Sequence, residues 1–210
     1  MIMKVILING SPKVAGCTYT ALKTVADELE KNGVEAEIVH VGTKAVRGCM
    51  GCGMCAKNGN GQCIYTDDNV NMIIEKMHAA DGVVIGSPVH YAAASGALTS
   101  TLDRVFYAGG SMAHKIGASV VSCRRGGASA AFDQLNKYFT IGQMPIVSSN
   151  YWNQVHGNTP EEVLQDAEGI QTMQILGRNM AWMLKCIEAG RNAGVATPEP
   201  VAKVKTNFIR

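Results

Sequence analysis

The stretch Lys4-Val5-Ile6-Leu7-Ile8-Asn9-Gly10-Ser11-Pro12-Lys13-Val14-Ala15-Gly16-Cys17-Thr18-Tyr19-Thr20 decides how the rest of the chain is read. Val5 to Ile8 form an unbroken apolar run, the pattern of a strand covered on both faces, as in a parallel sheet. Asn9-Gly10 ends the run, and Ser11-Pro12 opens a short loop of small and hydroxyl-bearing residues. An amphipathic helix follows, with Ala21, Leu22, Val25, Ala26 and Leu29 on one stripe. Strand, tight loop and helix N-terminus together make an anion site, because N–H groups converge where the helix dipole is positive. The loop carries neither G-x-G-x-x-G nor the Gly-Lys-Ser/Thr ending of a P-loop. A dinucleotide or an NTP–Mg²⁺ complex is therefore poorly served, and a single phosphomonoester well served. The hydroxyls of Ser11, Thr18 and Thr20 are further candidate donors; an ordinary strand–helix turn is the plainer alternative.

Working outward, Gly33 stops the helix, and Glu35 to Val41 alternates as a second strand suited to a sheet edge. After the cysteine-rich segment 47–63, Asp67-Asp68-Asn69 supplies caps for a helix carrying Val70, Ile73, Ile74 and Met77 on one face. Val83 to Gly86 is a third strand, followed by the loop Ser87–Ser95 and a helix with Leu98, Leu102, Val105 and Phe106. Ala118 to Ser122 is a fourth strand, ending in the loop Cys123-Arg124-Arg125-Gly126-Gly127 and a helix through Leu135 and Phe139. Pro145-Ile146-Val147 reads as a short fifth strand, and Thr159-Pro160-Glu161-Glu162 as the capping box that starts the last long helix. That helix ends near Gly190, leaving residues 191–210 as a tail that packs on the domain or on a neighbouring subunit. The result is one α/β domain over 1–190, a doubly wound five-stranded parallel sheet with helices on both faces. Ligands of such sheets sit beyond the carboxyl ends of the strands at the switch point. The three loops emerge there and form one composite site.

Composition narrows the partners. A formal net charge of only +2, without basic blocks, argues against nucleic acid or anionic membrane. No apolar run approaches the ~20 residues of a membrane-spanning helix, and the N-terminal run is too short for a secretory signal. Seven cysteines, four of them crowded into 49–63, indicate thiolate chemistry in a reducing cytosol rather than a disulfide framework.

Those four fall as Cys49-x2-Cys52-x2-Cys55-x7-Cys63, with glycines at 48, 51 and 53. Three cysteines at three-residue spacing in Gly-rich backbone can wrap a [4Fe–4S] cluster, the fourth returning from a short loop. Structural zinc more often uses two separated knuckles, and plain thiols are the third alternative. Cys63 lacks the proline that follows the fourth cysteine of many ferredoxin-like runs. Cys186, inside the last helix, reads as a core residue, and the methionines as packing.

The chain resembles the flavodoxin-like NAD(P)H-dependent FMN reductases, particularly their iron–sulfur flavoprotein branch. The resemblance rests on GSPKVAGCT, CMGCGMC…C, ADGVVIGSPVHYAAASGALTSTLDR, SCRRGG and the closing TNFIR. It implies FMN, with Ser11, Lys13, Cys17, Thr18 and Tyr19 at its phosphate. Pro88, Val89, His90, Tyr91 and Ala92 would line the flavin, and Cys123, Arg124, Arg125, Gly126 and Gly127 its pyrimidine side. It also implies a homodimer or homotetramer, the loop around Gly109-Gly110 and the tail being candidate contacts. Cys17 stands where the family commonly has Asn, and Lys13 where it commonly has Arg.

Hydride transfer from nicotinamide to flavin needs no protein acid or base, so no catalytic side chain is expected. Arg124 and Arg125 suit the charge of reduced flavin or the phosphates of NAD(P)H, or else face water. His90 is a binder only, and Tyr151-Trp152 more simply a packing pair. The expectation is an FMN-dependent, cytoplasmic oxidoreductase taking hydride from NAD(P)H and passing electrons to a small-molecule or protein acceptor, through a cluster if Cys49, Cys52, Cys55 and Cys63 hold one. The alternative is a non-enzymatic electron carrier, which would usually show an acidic docking face. A receiver-type signalling domain is excluded, because Asn9-Gly10-Ser11 offers no acidic cluster.

Overall fold

A computed structural model describes residues 2–208. Its elements in chain order are β1 (Lys4–Asn9), α1 (Cys17–Lys31), β2 (Glu35–His40), α2 (Met54–Asn58), α3 (Val70–Ala79), β3 (Gly82–His90), β4 (Ala93–Ala94) and α4 (Gly96–Ala108). β5 (Ile116–Cys123), α5 (Ala128–Ile141), β6 (Gln154–His156), α6 (Pro160–Gln165) and α7 (Ala167–Asn192) complete it. The sheet runs β2-β1-β3-β5-β6 with every pairing on that path parallel, and β4 folds back antiparallel on β3. Strand order reverses between β1 and β3, which makes that gap the switch point of a doubly wound α/β sheet.

Strand alternation builds two cores. Ile6, Ile8, Val83, Ile85 and Val121 face the layer of α3, α4 and α5 through Ile73, Met77, Leu98, Leu102, Leu135 and Phe139. Val5, Leu7, Val84, Ala118, Val120 and Val155 face α1, α6 and α7 through Leu22, Val25, Val163, Met173 and Leu176. The central strands bury both faces and so read as continuous apolar runs. β2 lies at the edge, and its alternating sequence follows from that.

Four local expectations need correcting. Pro145 to Val147 makes a single bridge, Gly117 to Ile146, with two backbone hydrogen bonds of 2.8 Å flanking it. The chain then leaves through Ser148-Ser149-Asn150, where the Ser149 hydroxyl bonds Asn153 Oδ1 at 2.6 Å, and rejoins as β6. The fifth strand is therefore Gln154–His156, paired with the second half of β5. Thr159 caps as expected, accepting from the Glu162 N–H at 3.3 Å, while the Glu162 carboxylate accepts from the Asn158 N–H at 2.6 Å; but this cap starts only α6. Asp166 leaves helical geometry at ψ 80° and its carboxylate caps α7 by accepting from the Gly169 N–H at 3.0 Å. The cysteine segment, Gly-rich and without helical or strand period in its sequence, nevertheless contains the short helix α2. Finally, β3 continues through Ser87 to His90, so most of the second loop is strand.

The tail beyond Val195 is exposed and without regular structure as far as residue 208. The last two residues of TNFIR lie outside the described residues. Among the described residues, no helix is long and apolar enough to cross a membrane.

Candidate functional site

The first loop is held from inside by Asn9, which is fully buried at the end of β1. Its side-chain oxygen accepts from the Ser11 N–H at 3.1 Å and its amide donates to the Val14 carbonyl at 3.0 Å. The Ser11 hydroxyl accepts from the Lys13 N–H at 3.1 Å, and His40 Nε2 donates to the Ser11 carbonyl at 2.7 Å. This loop delivers the chain to the N-terminus of α1, where Gly16 is the N-cap. Among the described residues no side chain caps that end, and the first turn holds no acidic residue. Its N–H groups stay available to an exogenous anion at the positive end of the helix dipole.

Two of the three expected hydroxyl donors, Thr18 and Thr20, are engaged elsewhere, whereas the Ser11 hydroxyl only accepts. Thr18 Oγ1 shares a buried 2.8 Å hydrogen bond with Ser122 Oγ at the end of β5. Thr20 Oγ1 donates back to the Gly16 carbonyl at 3.2 Å. Cys17 is half-buried, with its thiol 3.7 Å from the Gly157 carbonyl; burial pushes its pKa up. Lys13 is exposed and Tyr19 half-buried. The cradle is thus mainly backbone, with Lys13 as the nearby cation.

The second loop is a two-residue hairpin between β3 and β4. Tyr91 and Ala92 both adopt positive φ, 50° and 58°. A two-residue turn of this hand matches strand twist but strains residues other than glycine. The hairpin is tied down on three sides. Ser95 donates from Oγ to the Gly10 carbonyl at 2.7 Å and from its N–H to Ser87 Oγ at 2.9 Å. Gln134 on α5 accepts from the Ala94 N–H at 2.9 Å. From the third loop, Gly127 at φ 87° brings its backbone so close that an added Cβ would lie 2.8 Å from the Cα of Ala92. Pro88 and Val89 are partly buried, whereas His90, Tyr91 and Ala92 are exposed.

Cys123 is buried, which pushes its thiol pKa up; Arg124, Arg125 and Gly126 are exposed. Neither arginine side chain forms a hydrogen bond or ion pair with another described residue, so both are available to an anionic ligand. A fourth segment joins this rim. The Gly157 N–H donates to the Cys123 carbonyl at 3.1 Å, and the Asp166 carboxylate accepts from the His156 N–H at 2.6 Å. Asn9, Ser95, Gln134 and Gly157 are the supporting residues that sequence reasoning missed. Only Asn9, a polar residue closing an apolar strand, carried a local signal.

Cys49, Cys52, Cys55 and Cys63 line one shallow concavity, beside Tyr65 and Arg104. Cys49 and Cys52 are exposed; Cys55 and Cys63 pack partly against the α3–α4 layer. Asn71 on α3 grips Cys63 through both backbone groups, at 2.8 and 2.9 Å. Gly51 and Gly53 turn the chain at φ 63° and 68°, as wrapping requires. Among the described residues, no three His, Cys, Asp or Glu side chains converge on a point as a single metal ion would demand. A cubane binds each cysteine at a different iron, so it requires a shared concavity rather than one point of convergence. Cys186, expected in the core, is exposed, because it lies on the outer side of α7. Tyr151 and Trp152 pack on each other, ring centroids 4.7 Å apart, and each remains half exposed.

The model of the NADPH-dependent FMN reductase family matches residues 3–159. This chain belongs to that family. Within it, the chain falls with the iron–sulfur flavoproteins. It is 32% identical over 195 residues to an iron-sulfur flavoprotein of Methanocaldococcus jannaschii, covering 89% of this chain and all of the relative. An iron-sulfur flavoprotein of Archaeoglobus fulgidus is 33% identical over 178 residues, 82% of this chain and 86% of that one. Among solved structures, RosB with a bound formylriboflavin phosphate intermediate superposes with a TM-score of 0.67 at 14% identity, covering 99% of this chain and 92% of its own. An archaeal flavodoxin gives 0.61 at 14% identity, covering 87% and 99%. These structural likenesses establish the flavodoxin-like fold and nothing finer.

Proposed function

We propose that this chain is an FMN-dependent oxidoreductase that takes hydride from NAD(P)H and passes electrons to a small-molecule or protein acceptor. The observation that carries the reading is the uncapped first turn of α1 at the switch point of a fold shared with the FMN reductases. FMN, when bound, supplies the redox chemistry. The chain's own residues do the rest. The free N–H groups at the uncapped first turn of α1, with Ser11, Lys13, Cys17, Thr18 and Tyr19 around them, hold the phosphate. The hairpin Pro88–Ala92 offers a rigid backbone wall for the ring, and Gly126-Gly127 closes on it. Arg124 and Arg125 place positive charge where reduced flavin or the nicotinamide phosphates require it.

Cys49, Cys52, Cys55 and Cys63 are proposed to hold a [4Fe–4S] cluster; the shared concavity and the names of the relatives support this. Such a cluster would let electrons leave one at a time. A cytoplasmic homodimer or homotetramer, its contacts made by the Gly109-Gly110 loop and the tail, completes the proposal. The test is the visible spectrum of anaerobically purified protein with iron and sulfide assays, followed by NADH and then NADPH. Flavin bleaching by either nucleotide is expected. Bleaching by neither would leave a carrier between protein partners, and failure to bind FMN would overturn the reading altogether.

A further inference from the structure

Arg104, on the inner face of α4, is buried to 1% exposure, and every nitrogen of its guanidinium is engaged. Nε donates to Cys63 Sγ at 3.3 Å. Nη1 donates to the Arg47 carbonyl at 3.2 Å and pairs with the buried carboxylate of Asp68. Nη2 donates to the Tyr65 carbonyl at 3.1 Å. The two carbonyls bracket the cysteine segment, one just before Cys49 and one just after Cys63. Two cations lie over the Tyr65 ring, Arg47 at 4.4 Å and Arg104 at 5.8 Å from its centroid.

A buried ion pair is weak evidence for stability, since its desolvation cost offsets the attraction. This guanidinium does something a Met–Leu pair of equal volume could not. It joins three chain segments in a planar fork and delivers one N–H to a sulfur. We propose that Arg104 is a positioning residue for the cysteine site, clamping both ends of segment 47–65 and donating to the Cys63 sulfur so as to favour the reduced state of a cluster bound there. The inference rests on the cluster reading above. Its physical basis is that reduction adds negative charge to the cluster and its sulfurs, and hydrogen bonds to those sulfurs raise the potential. Asp68 orients the guanidinium but does not touch the sulfur, so the two residues have separable effects.

The experiment compares wild type, Arg104→Lys and Asp68→Asn after anaerobic reconstitution with iron and sulfide, with FMN content as the check on folding. Lysine keeps the charge but loses the fork. Arg104→Lys is expected to give iron up to a chelator about 10–100-fold more readily, the usual cost of losing such a partner. Its cluster potential is expected to lie below both wild type and Asp68→Asn. Equal chelator resistance and equal potential in wild type and Arg104→Lys would overturn the inference, as would an identical shift in both variants, which is what a purely structural clamp gives. Wild type that takes up no iron would sink the cluster reading itself and this inference with it. Should Arg104→Lys lose FMN as well, reduced wild type carrying ¹⁵N-labelled arginine decides. Magnetic coupling between the cluster and a guanidinium nitrogen supports the proposal, and its absence overturns it.

Discussion

Gly127 combines the two reasons a chain needs glycine. Its φ of 87° penalises any side chain, and its missing Cβ lets the third loop rest on Ala92 of the hairpin. Gly127→Ala is expected to cost about 1–3 kcal/mol and to weaken FMN binding, because the strain must be released by pushing the hairpin away. Gly126, with open space around it and no positive φ, is the control: Gly126→Ala should stay within about 0.5 kcal/mol of wild type in urea denaturation. Equal stabilities for the two variants would show that the contact does not hold the hairpin. The Arg125 side chain has no hydrogen-bond or ion-pair partner among the described residues, so its substitution reads on the ligand directly. Arg125→Ala is expected to lower the flavin potential or raise the KM for reduced nicotinamide; with both unchanged, the assigned role fails. Gly127 and Arg125 were both visible as a loop at a strand end. That Gly127 presses on Ala92, whereas Gly126 presses on nothing, depends on two segments meeting in space.

At the scale of elements, α1 and α7 are held together by Glu28. Its carboxylate is nearly buried, and it accepts from Arg178 Nε at 2.7 Å with Lys31 at 3.4 Å. Gly177 allows the approach, since a Cβ there would stand 2.8 Å from the Cβ of Glu28 and 2.9 Å from the Val25 carbonyl. The bond from Arg178 holds the Glu28 pKa below its ordinary 4.5. A depressed carboxylate contributes stability that is fully present above the ordinary value and is lost as pH falls through the folded one. Wild-type stability should therefore decline below about pH 4.5, and Glu28→Gln should flatten that part of the profile while lowering the plateau above it. Parallel profiles for the two proteins, measured by urea midpoints from pH 3 to 7, would remove Glu28 from the account. The helices themselves were legible from their apolar stripes. The break at Asp166 was not, because its cap forms only where the carboxylate also meets the N–H of His156 on β6. The fifth strand was missed for a related reason: Gln154-Val155-His156 has no strand-like composition of its own and is strand only by pairing with β5.

For the whole molecule, the switch point predicts how ligand and stability are linked. FMN at a hundredfold excess over its Kd should stabilise the fold by about 2.7 kcal/mol. For a chain of this size that corresponds to a rise in Tm of roughly 5–10 °C. Riboflavin, which lacks the phosphate, should give a clearly smaller shift at equal concentration, because the uncapped first turn of α1 has nothing to bind. Equal shifts in thermal denaturation would mean that the ring alone carries the affinity and that the cradle is an ordinary turn.

Apolar runs and stripes, read in one dimension, were enough to establish a doubly wound parallel sheet, the rim where its loops converge and the cysteine segment beside it. They suffice because burial on both faces of a strand, or along one stripe of a helix, writes a period into the sequence that local chemistry cannot hide. Tertiary structure alone decided that Thr18 is occupied by Ser122, that Cys186 faces outward and that Arg104 reaches from α4 to the sulfur of Cys63. Those are contacts between residues far apart in the chain, set by how the layers stack, and no spacing along the sequence encodes them.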